Sequence, residues 1–252
     1  TFYTNTSVEY WGGGRNAALV HTSPDGRTDL PLGDDTRVYF LTGAQHGPAR
    51  FPTSIGNGQL PDNPLEYWWT MRALMTSFVR WVRDNDQPPA SVVPKIADGT
   101  MIPPEQVRFP AIQANTYGGV ARPAISAGPR IYNQLRVYDR GPQYRPGDTS
   151  GIATLEPPVP GNATYGVLVP KTDADGNDLG GVRSVFVQVP IGTYTGWNIG
   201  RKDRFEGGMC NLQGTFVPFA ATKQERLATG DHRLSLEERY PTKDAYVAAF
   251  KA

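Results

Sequence analysis

Residues 37–48 read RVYFLTGAQHGP, and this stretch decides how the fold is organised. The apolar run TRVYFL at 36–41 predicts a β-strand, because it is rich in β-branched and aromatic residues and ends at the break formed by Thr42 and Gly43. His46 comes just past the carboxyl end of that strand, among small residues and ahead of a proline. A histidine on such a loop is either a catalytic base or a loop residue without a chemical role.

The residues before this stretch predict a second strand with a carboxylate at its end. Residues 1–8 mix aromatic, threonine and β-branched positions, and the strand should end near Glu9. The segment EYWGGGR at 9–15 contains three glycines that permit a tight loop, and HTSPDGRTDLPLGDD at 21–35 reads as a turn-rich connection. Asp25, Asp29 and Asp34 are alternatives to Glu9 as the acid partner of a histidine, although they fall within that connection.

The residues after it predict an amphipathic helix at 63–85. Asn63 suits the N-cap, Pro64 suits the first helical position, and Glu66 completes the spacing of a capping box. Apolar residues recur at helical intervals and should pack against a sheet, namely Trp68, Met71, Met75, Phe78 and Val82. Strand, carboxylate, strand, histidine loop and helix, in this order, are typical of the end of a parallel α/β unit.

The rest of the chain predicts an appendage and a helical tail. Residues 86–165 are rich in proline and should form ordered loops with short strands near 131–138, and 165–199 should form a β-hairpin around DADGNDLGG. That turn resembles a calcium loop, but Asp178 stands where the loop requires glycine, so a turn is the better interpretation. Two capping boxes, Thr222 with Glu225 and Ser235 with Glu238, and the segment TKDAYVAAFKA predict short helices.

Composition excludes several classes of protein. The 252 residues carry 25 Lys and Arg against 24 Asp and Glu without a basic run, so no nucleic-acid partner is expected. No apolar stretch reaches the roughly 18 residues of a membrane span. With one cysteine, Cys210, expected in the core, and three histidines, of which His21 and His232 should be solvated, neither a metal site nor a cofactor is expected.

Several blocks, in order, resemble the carboxyl-terminal half of a family of largely uncharacterised α/β-hydrolase-domain proteins. They are FYTNTSVEYW, VYFLTGAQHGPA, IADGT, DADGN, VPIGTYTGWN, GTFVPFA and LSLEERY, which together span nearly the whole chain. The resemblance implies a serine-hydrolase fold in which His46 matches the family's histidine and Glu9 its acid. No G-x-S-x-G occurs, since GDTSG at 147–151 has the wrong spacing, so the nucleophile elbow should lie upstream, on another segment or on a companion chain.

The sequence therefore predicts an α/β fold that forms the carboxyl-terminal part of an α/β-hydrolase sheet. We expect the final strands, histidine loop and helix of the core at 1–110, a proline- and glycine-rich β appendage at 111–200, and a helical extension at 201–252. The expected activity is hydrolysis of a small carboxylic ester, incomplete without the nucleophile. Four aromatic residues could line its substrate pocket or pack in the core, namely Tyr10, Trp11, Tyr194 and Trp197.

Two questions stay open at this stage. The alternative function is a non-catalytic binding or scaffold module derived from the hydrolase fold, in which the proline-rich middle binds a partner. The chain starts in strand-like residues, TFYTNTSVEYW, which favours a start inside a larger fold. Any signal for export or for the periplasm would then lie upstream, and the sequence leaves the compartment, the oligomeric state and the acyl and alcohol groups undetermined.

Overall fold

The computed structural model describes residues 1–11, 16–117, 120–125, 134–145, 152–201, 203 and 207–252. Three predicted features fall wholly or partly outside these ranges. The glycines at 12–14 and the segment GDTSG at 147–151 lie outside them, as do 131–133 of the predicted strand at 131–138. The rest of that strand is present at Arg136–Asp139.

Two parallel strands form the part of the fold that positions the site. Strand β1 (Phe2–Thr6) pairs in parallel with β2 (Arg37–Leu41), so that Thr6 lies opposite Leu41 at the carboxyl ends. On its other side β2 forms parallel bridges with Val92 and Val182. Residues 38–41 of β2 are all buried, and a strand that is covered on both edges and both faces explains the uninterrupted apolar run.

The first helices differ from the prediction at their boundaries. Helix α1 (Ser7–Trp11) follows β1 directly, so Glu9 lies in a helix and not at the start of a loop. Helix α2 (Trp68–Asp84) begins five residues later than Asn63, and its N-cap is Tyr67. The predicted capping box is therefore wrong, because the Asn63 side chain instead bonds the backbone of Gly43, Leu65 and Thr195.

The predicted core stripe of α2 is also wrong in part. Leu74 is the buried residue of this helix, while Trp68, Met75 and Val82 are exposed. Phe78 packs its ring on Phe2 of β1, with ring centroids 5.0 Å apart. The helix therefore has one apolar face on the sheet and a second apolar face that no described residue covers.

The predicted hairpin at 165–199 forms only next to its turn, where Thr172 and Asp178 make an antiparallel bridge. Farther from the turn, its two arms pair with other segments. Strand β3 (Met101–Ile102) pairs antiparallel with β8 (Val169–Pro170), and β9 (Gly192–Thr195) pairs antiparallel with β10 (Thr215–Pro218). The remaining short strands form two antiparallel pairs, β4 (Asn115–Tyr117) with β5 (Val120–Arg122) and β6 (Arg136–Asp139) with β7 (Val159–Thr164).

Four further helices complete the described part of the chain. They are α3 (Val185–Gln188), α4 (Lys223–Thr229), α5 (Leu236–Arg239) and α6 (Lys243–Lys251), and 3-10 turns occur at Ala17–Val20 and Pro104–Gln106. The two capping boxes predicted in the tail are confirmed, at the starts of α4 and α5. In the described residues no helix is long and apolar enough to cross a membrane.

A buried ion pair fastens the helical tail to β9 and β10. The Arg233 guanidinium is fully buried and lies 2.6 Å from an Asp231 carboxylate oxygen. It also donates to the Thr193 hydroxyl and to the Val217 carbonyl. Because a buried charge needs both a counter-charge and hydrogen-bond partners, these contacts fix the tail against the core.

Candidate active site

Glu9 is positioned by the junction between β1 and α1. It is the third residue of the helix, and its Oε2 accepts hydrogen bonds from the Thr6 backbone N–H at 2.7 Å and the Thr6 hydroxyl at 2.5 Å. A glutamate at this position commonly reaches back to the N–H before the helix, as in one half of a capping box. The second carboxylate oxygen of Glu9 is left to face the next loop.

That oxygen contacts the histidine. Glu9 Oε1 lies 2.9 Å from His46 Nδ1, and the His46 side chain is 58% exposed against 15% for Glu9. A carboxylate at Nδ1 favours the tautomer that carries its proton there, which leaves Nε2 as a hydrogen-bond acceptor. Among the described residues no side chain or backbone group bonds Nε2, and more than half of the imidazole side chain is exposed. Glu9 and His46 therefore form a carboxylate–imidazole pair, in which the carboxylate orients the ring through Nδ1.

The parallel pairing of β1 with β2 explains why residues 37 positions apart meet. Parallel strands end at the same edge of a sheet, so residues just after Thr6 and Leu41 are neighbours. None of the alternative acids bonds His46 within the described chain. Asp29 instead accepts from the N–H groups of Ile96 and Ala97, and Asp25 accepts from Ser23.

The loop that carries His46 is held by buried polar groups. Gly43 adopts φ of +74°, donates its N–H to Ser7 Oγ at 2.9 Å and accepts from Asn63 Nδ2 at 2.7 Å. Gln45 Oε1 accepts from the N–H groups of Asn63 and Gly214, at 3.1 and 2.9 Å. A positive φ is readily adopted by glycine, so Gly43 allows the sharp turn at the end of β2.

His46 itself is held at both backbone groups. Its N–H donates to the Leu212 carbonyl at 3.3 Å, and the Tyr67 hydroxyl donates to its carbonyl. Burial, together with the negative charges of Glu9 and Glu66, raises the pKa of Tyr67 to about 12. The phenol therefore stays protonated at neutral pH and remains a donor to the loop.

The aromatic residues considered for a substrate pocket are all buried, at 1–3% exposure: Tyr10, Trp11, Tyr194 and Trp197. Trp11 and Trp197 belong to one core cluster with Phe109, Tyr194 to a second with Phe216, and Tyr10 to a third with Phe40. In this chain they are core residues, because their neighbours are other buried apolar side chains.

The other two histidines divide between core and solvent. His232 is exposed, as expected, whereas the prediction for His21 is wrong. His21 is buried, its Nε2 lies 2.8 Å from the Tyr10 hydroxyl, and burial lowers its pKa. Local polarity of the sequence misled the prediction, because His21 follows the short 3-10 turn that packs its apolar residues against Tyr10 and Phe40.

The acidic turn DADGNDLGG and Cys210 are the remaining candidates for metal or thiol chemistry. No group of three or more potential metal ligands occurs in the described residues. In DADGNDLGG, Asp175 pairs with Arg239 and Asp173 lies 3.7 Å from Arg183, so these carboxylates serve as ion-pair partners around a turn. Cys210 is buried as predicted, and burial raises the pKa of its thiol to about 11.

An acid and a histidine at the carboxyl ends of adjacent parallel strands define an α/β protein of the hydrolase type. Comparison with known families agrees, because the family model described as an alpha/beta hydrolase domain matches residues 16–252. The chain belongs to that family. The matched region includes His46, while Glu9 lies just before it. No curated protein and no solved structure matches the chain.

Sequence reasoning did not identify the residues that support the pair. Ser7, Gln45, Asn63 and Tyr67 are all buried and all bond the loop or its flanks. The sequence pattern around Asn63 predicts a helix cap, and the other three carry no local signal, because their partners are distant in sequence.

Proposed function

We propose that this chain supplies the histidine and the acid of a serine hydrolase that acts on carboxylic esters. The observation that supports this is the 2.9 Å contact between Glu9 Oε1 and His46 Nδ1, with Nε2 of an exposed imidazole free to meet a hydroxyl. The family match supports a hydrolase fold, and the step to ester hydrolysis is part of the proposal.

In this mechanism His46 acts first as a base and then as an acid. Nε2 removes the proton of a serine hydroxyl while the serine oxygen attacks the ester carbonyl, and Glu9 stabilises the imidazolium that forms. The imidazolium then gives this proton to the departing alkoxide as the carbon–oxygen bond breaks. Water, activated by the same nitrogen, releases the acid from the acyl-serine. Backbone N–H groups outside the described site would stabilise the oxyanion.

The serine is proposed to come from another segment or a companion chain. The sequence has no G-x-S-x-G, and no described serine hydroxyl bonds His46. Strand β1 pairs only with β2 among the described residues, and α2 beside it exposes Trp69, Met75 and Val82. An unpaired parallel edge next to an exposed apolar helix face is what a sheet-completing segment would cover.

We also propose a division of the chain into three parts. Residues 1–110 are the core part, 111–200 the appendage and 201–252 the extension.

The test is hydrolysis of short aryl esters by the intact assembly, with His46→Ala and His232→Ala compared. His232 is also an exposed histidine, so the second variant controls for loss of an imidazole. We expect His46→Ala to lose activity by roughly 10³-fold or more and His232→Ala to keep it. Full activity in His46→Ala would remove this histidine from the mechanism.

The alternative is a binding or scaffold module that keeps the fold without the chemistry. The lack of a described serine at His46 is the observation that favours it. An intact assembly without esterase activity, in which a serine-directed fluorophosphonate labels no residue, would support this second function.

A further inference from the structure

Beneath the Glu9–His46 pair lies a buried serine that touches both of the elements that carry it. Ser7 is the first residue of α1, two positions before Glu9. Its Oγ accepts the N–H of Gly43, which begins the histidine loop, at 2.9 Å. The same hydroxyl donates its hydrogen to an Asp178 carboxylate oxygen. Ser7 is wholly buried, so it cannot itself meet a substrate, and no step of the proposed chemistry uses it.

Asp178 is held firmly by the turn that precedes it. Asp173 Oδ1 accepts the N–H groups of Asp175 and Asn177, at 3.0 and 2.9 Å. Asn177 Oδ1 in turn accepts the N–H of Tyr194 in β9, at 2.8 Å. The turn is thereby attached to the core, and the Asp178 carboxylate is presented to Ser7 from a fixed support.

The space around Ser7 is tightly filled. A Cβ added at Gly196 would lie 2.2 Å from Ser7 Cβ and 2.5 Å from the backbone nitrogen of Val8. Only glycine at 196 allows the chain to come this close to α1. The position of the Ser7 hydroxyl is therefore set by packing as well as by its two hydrogen bonds.

We infer that Ser7 and Asp178 are positioning residues, which hold α1 and the histidine loop at the separation that keeps Glu9 Oε1 within hydrogen-bond distance of His46 Nδ1. Ser7 is itself part of α1, and its Oγ bonds the histidine loop at Gly43 and the carboxylate of Asp178. A shift of α1 or of the loop would therefore break a buried hydrogen bond. The importance of Ser7 and Asp178 for catalysis rests on the proposed function. Their effect on the contact between Glu9 and His46 does not.

The charge of Asp178 is not what the inference requires. Burial is the main cause that raises the pKa of Asp178 to about 7, and the charge of Asp173 acts in the same direction. Hydrogen bonding from Ser7 and from the Gly43 N–H, and the charge of Arg183, act in the opposite direction. Protonated or ionised, the carboxyl keeps an oxygen that can accept from Ser7. Asparagine keeps such an oxygen as well, whereas alanine removes it, so the two substitutions separate hydrogen bonding from charge.

The experiment is nitrogen-15 NMR of the histidine side chains in this chain, which report the tautomer of neutral imidazole. With three histidines, the His46 signals are assigned by their loss in His46→Gln. The Glu9→Gln variant provides the reference spectrum of His46 without a carboxylate at Nδ1. Ser7→Ala, Asp178→Ala and Asp178→Asn are then compared with the natural sequence. Ser235→Ala is the matched control, because Ser235 is also fully buried and bonds Glu238 far along the chain.

We expect Ser7→Ala and Asp178→Ala to lose the Nδ1–H signature and to move His46 toward its spectrum in Glu9→Gln. Asp178→Asn should retain the signature, and Ser235→Ala should retain it even if the variant melts at a lower temperature. An unchanged His46 spectrum in a folded Ser7→Ala or in a folded Asp178→Ala would overturn the inference, as would loss of the signature in Asp178→Asn.

If Ser7→Ala does not fold, the two Asp178 variants decide. The result does not depend on ester hydrolysis, because the chain alone is measured. An intact assembly without activity would contradict the proposed function and leave this inference standing. An active assembly whose His46 spectrum is unchanged by the Ser7 and Asp178 substitutions would contradict this inference and leave the proposed function standing.

Discussion

The histidine loop and the outer face of α2 lie close in sequence, but the loop buries polar side chains whereas the helix exposes apolar ones. The loop from Gly43 to His46 is held by polar contacts, with Gln45 and Asn63 buried and bonded to backbone on several sides. The helix has the clearest hydrophobic periodicity in the chain, yet Trp69 and Val82 are about 70% exposed. From polarity alone, one would expect the polar loop residues to be exposed and the apolar helix residues to be buried.

The difference shows what each kind of residue can reveal. A buried polar side chain must find partners, so its position is set by particular atoms around it. An exposed apolar face shows only that water is an unfavourable neighbour, and it leaves the identity of its cover open. The variants below test the first region by removing partners and the second by altering a surface.

The largest effect is expected from Glu9→Gln in the intact assembly. The amide of glutamine can offer an N–H to Nδ1, which would place the imidazole proton on Nε2 and prevent it from accepting the serine proton. Ester hydrolysis should fall by roughly 10³- to 10⁴-fold in kcat, as in triads that lose the charge of their acid. Glu105→Gln, on an exposed residue, is the control. Equal activities of the two variants would show that Glu9 is not the acid.

Among the residues that hold the histidine loop, we expect Asn63→Ala to lower the free energy of unfolding most. Its amide nitrogen donates to the carbonyls of Gly43 and Thr195, and its oxygen accepts the N–H of Leu65. Alanine leaves three buried backbone groups without partners, at a cost of about 1–3 kcal/mol each before relaxation. We expect the free energy of unfolding in urea to fall by about 4 kcal/mol. Thr76→Ala, at an exposed site on α2, should change it by less than about 0.5 kcal/mol.

The sequence predicted the contact between Glu9 and His46 from the ends of the strands, and it did not predict the residues that support this contact. A buried apolar run followed by Gly43 and His46 locates a loop at a sheet edge, and parallel pairing then brings Glu9 close, which is the observed contact. Periodicity also found α2, and two capping boxes found α4 and α5. The strand, the helices and their caps depend on neighbours within a few residues, and the contact between Glu9 and His46 follows from the rule that parallel strands end at one edge of a sheet.

The supports could not be predicted because they depend on distant partners. Ser7 meets Asp178 across 171 residues, and Asn63 meets Thr195 across 132. Likewise, the residues at 165–199 alternate as a hairpin would, but β8 and β9 each found a partner elsewhere. Alternation indicates strands and their faces, and it does not select the strand on the other side.

Asp178→Asn should change the pH dependence of stability. The pKa of Asp178 is raised by burial to about 7, from 3.8, so the folded state binds an additional proton between these values. Stability from this group is therefore present at pH 4 and is lost as pH rises toward 7. The asparagine variant should lack this decline, which we put at about 2–4 kcal/mol, in urea titrations between pH 4 and 8. Parallel pH profiles for the variant and the natural sequence would contradict the raised pKa.

The smallest effects on stability are expected on α2, where alanine substitutions at Leu74 and Met75 contrast a buried residue with its exposed neighbour. Leu74 is buried and Met75 is 60% exposed, so truncating each to alanine tests the two faces of one helix turn. Leu74→Ala should lower the free energy of unfolding by about 2–3 kcal/mol through lost burial and a cavity. Met75→Ala should change it by less than about 0.5 kcal/mol in this chain, because the side chain is already in water. If the outer face is covered in the intact assembly, Met75→Ala should become destabilising there, and an equally small effect in both settings would show that Met75 remains solvated.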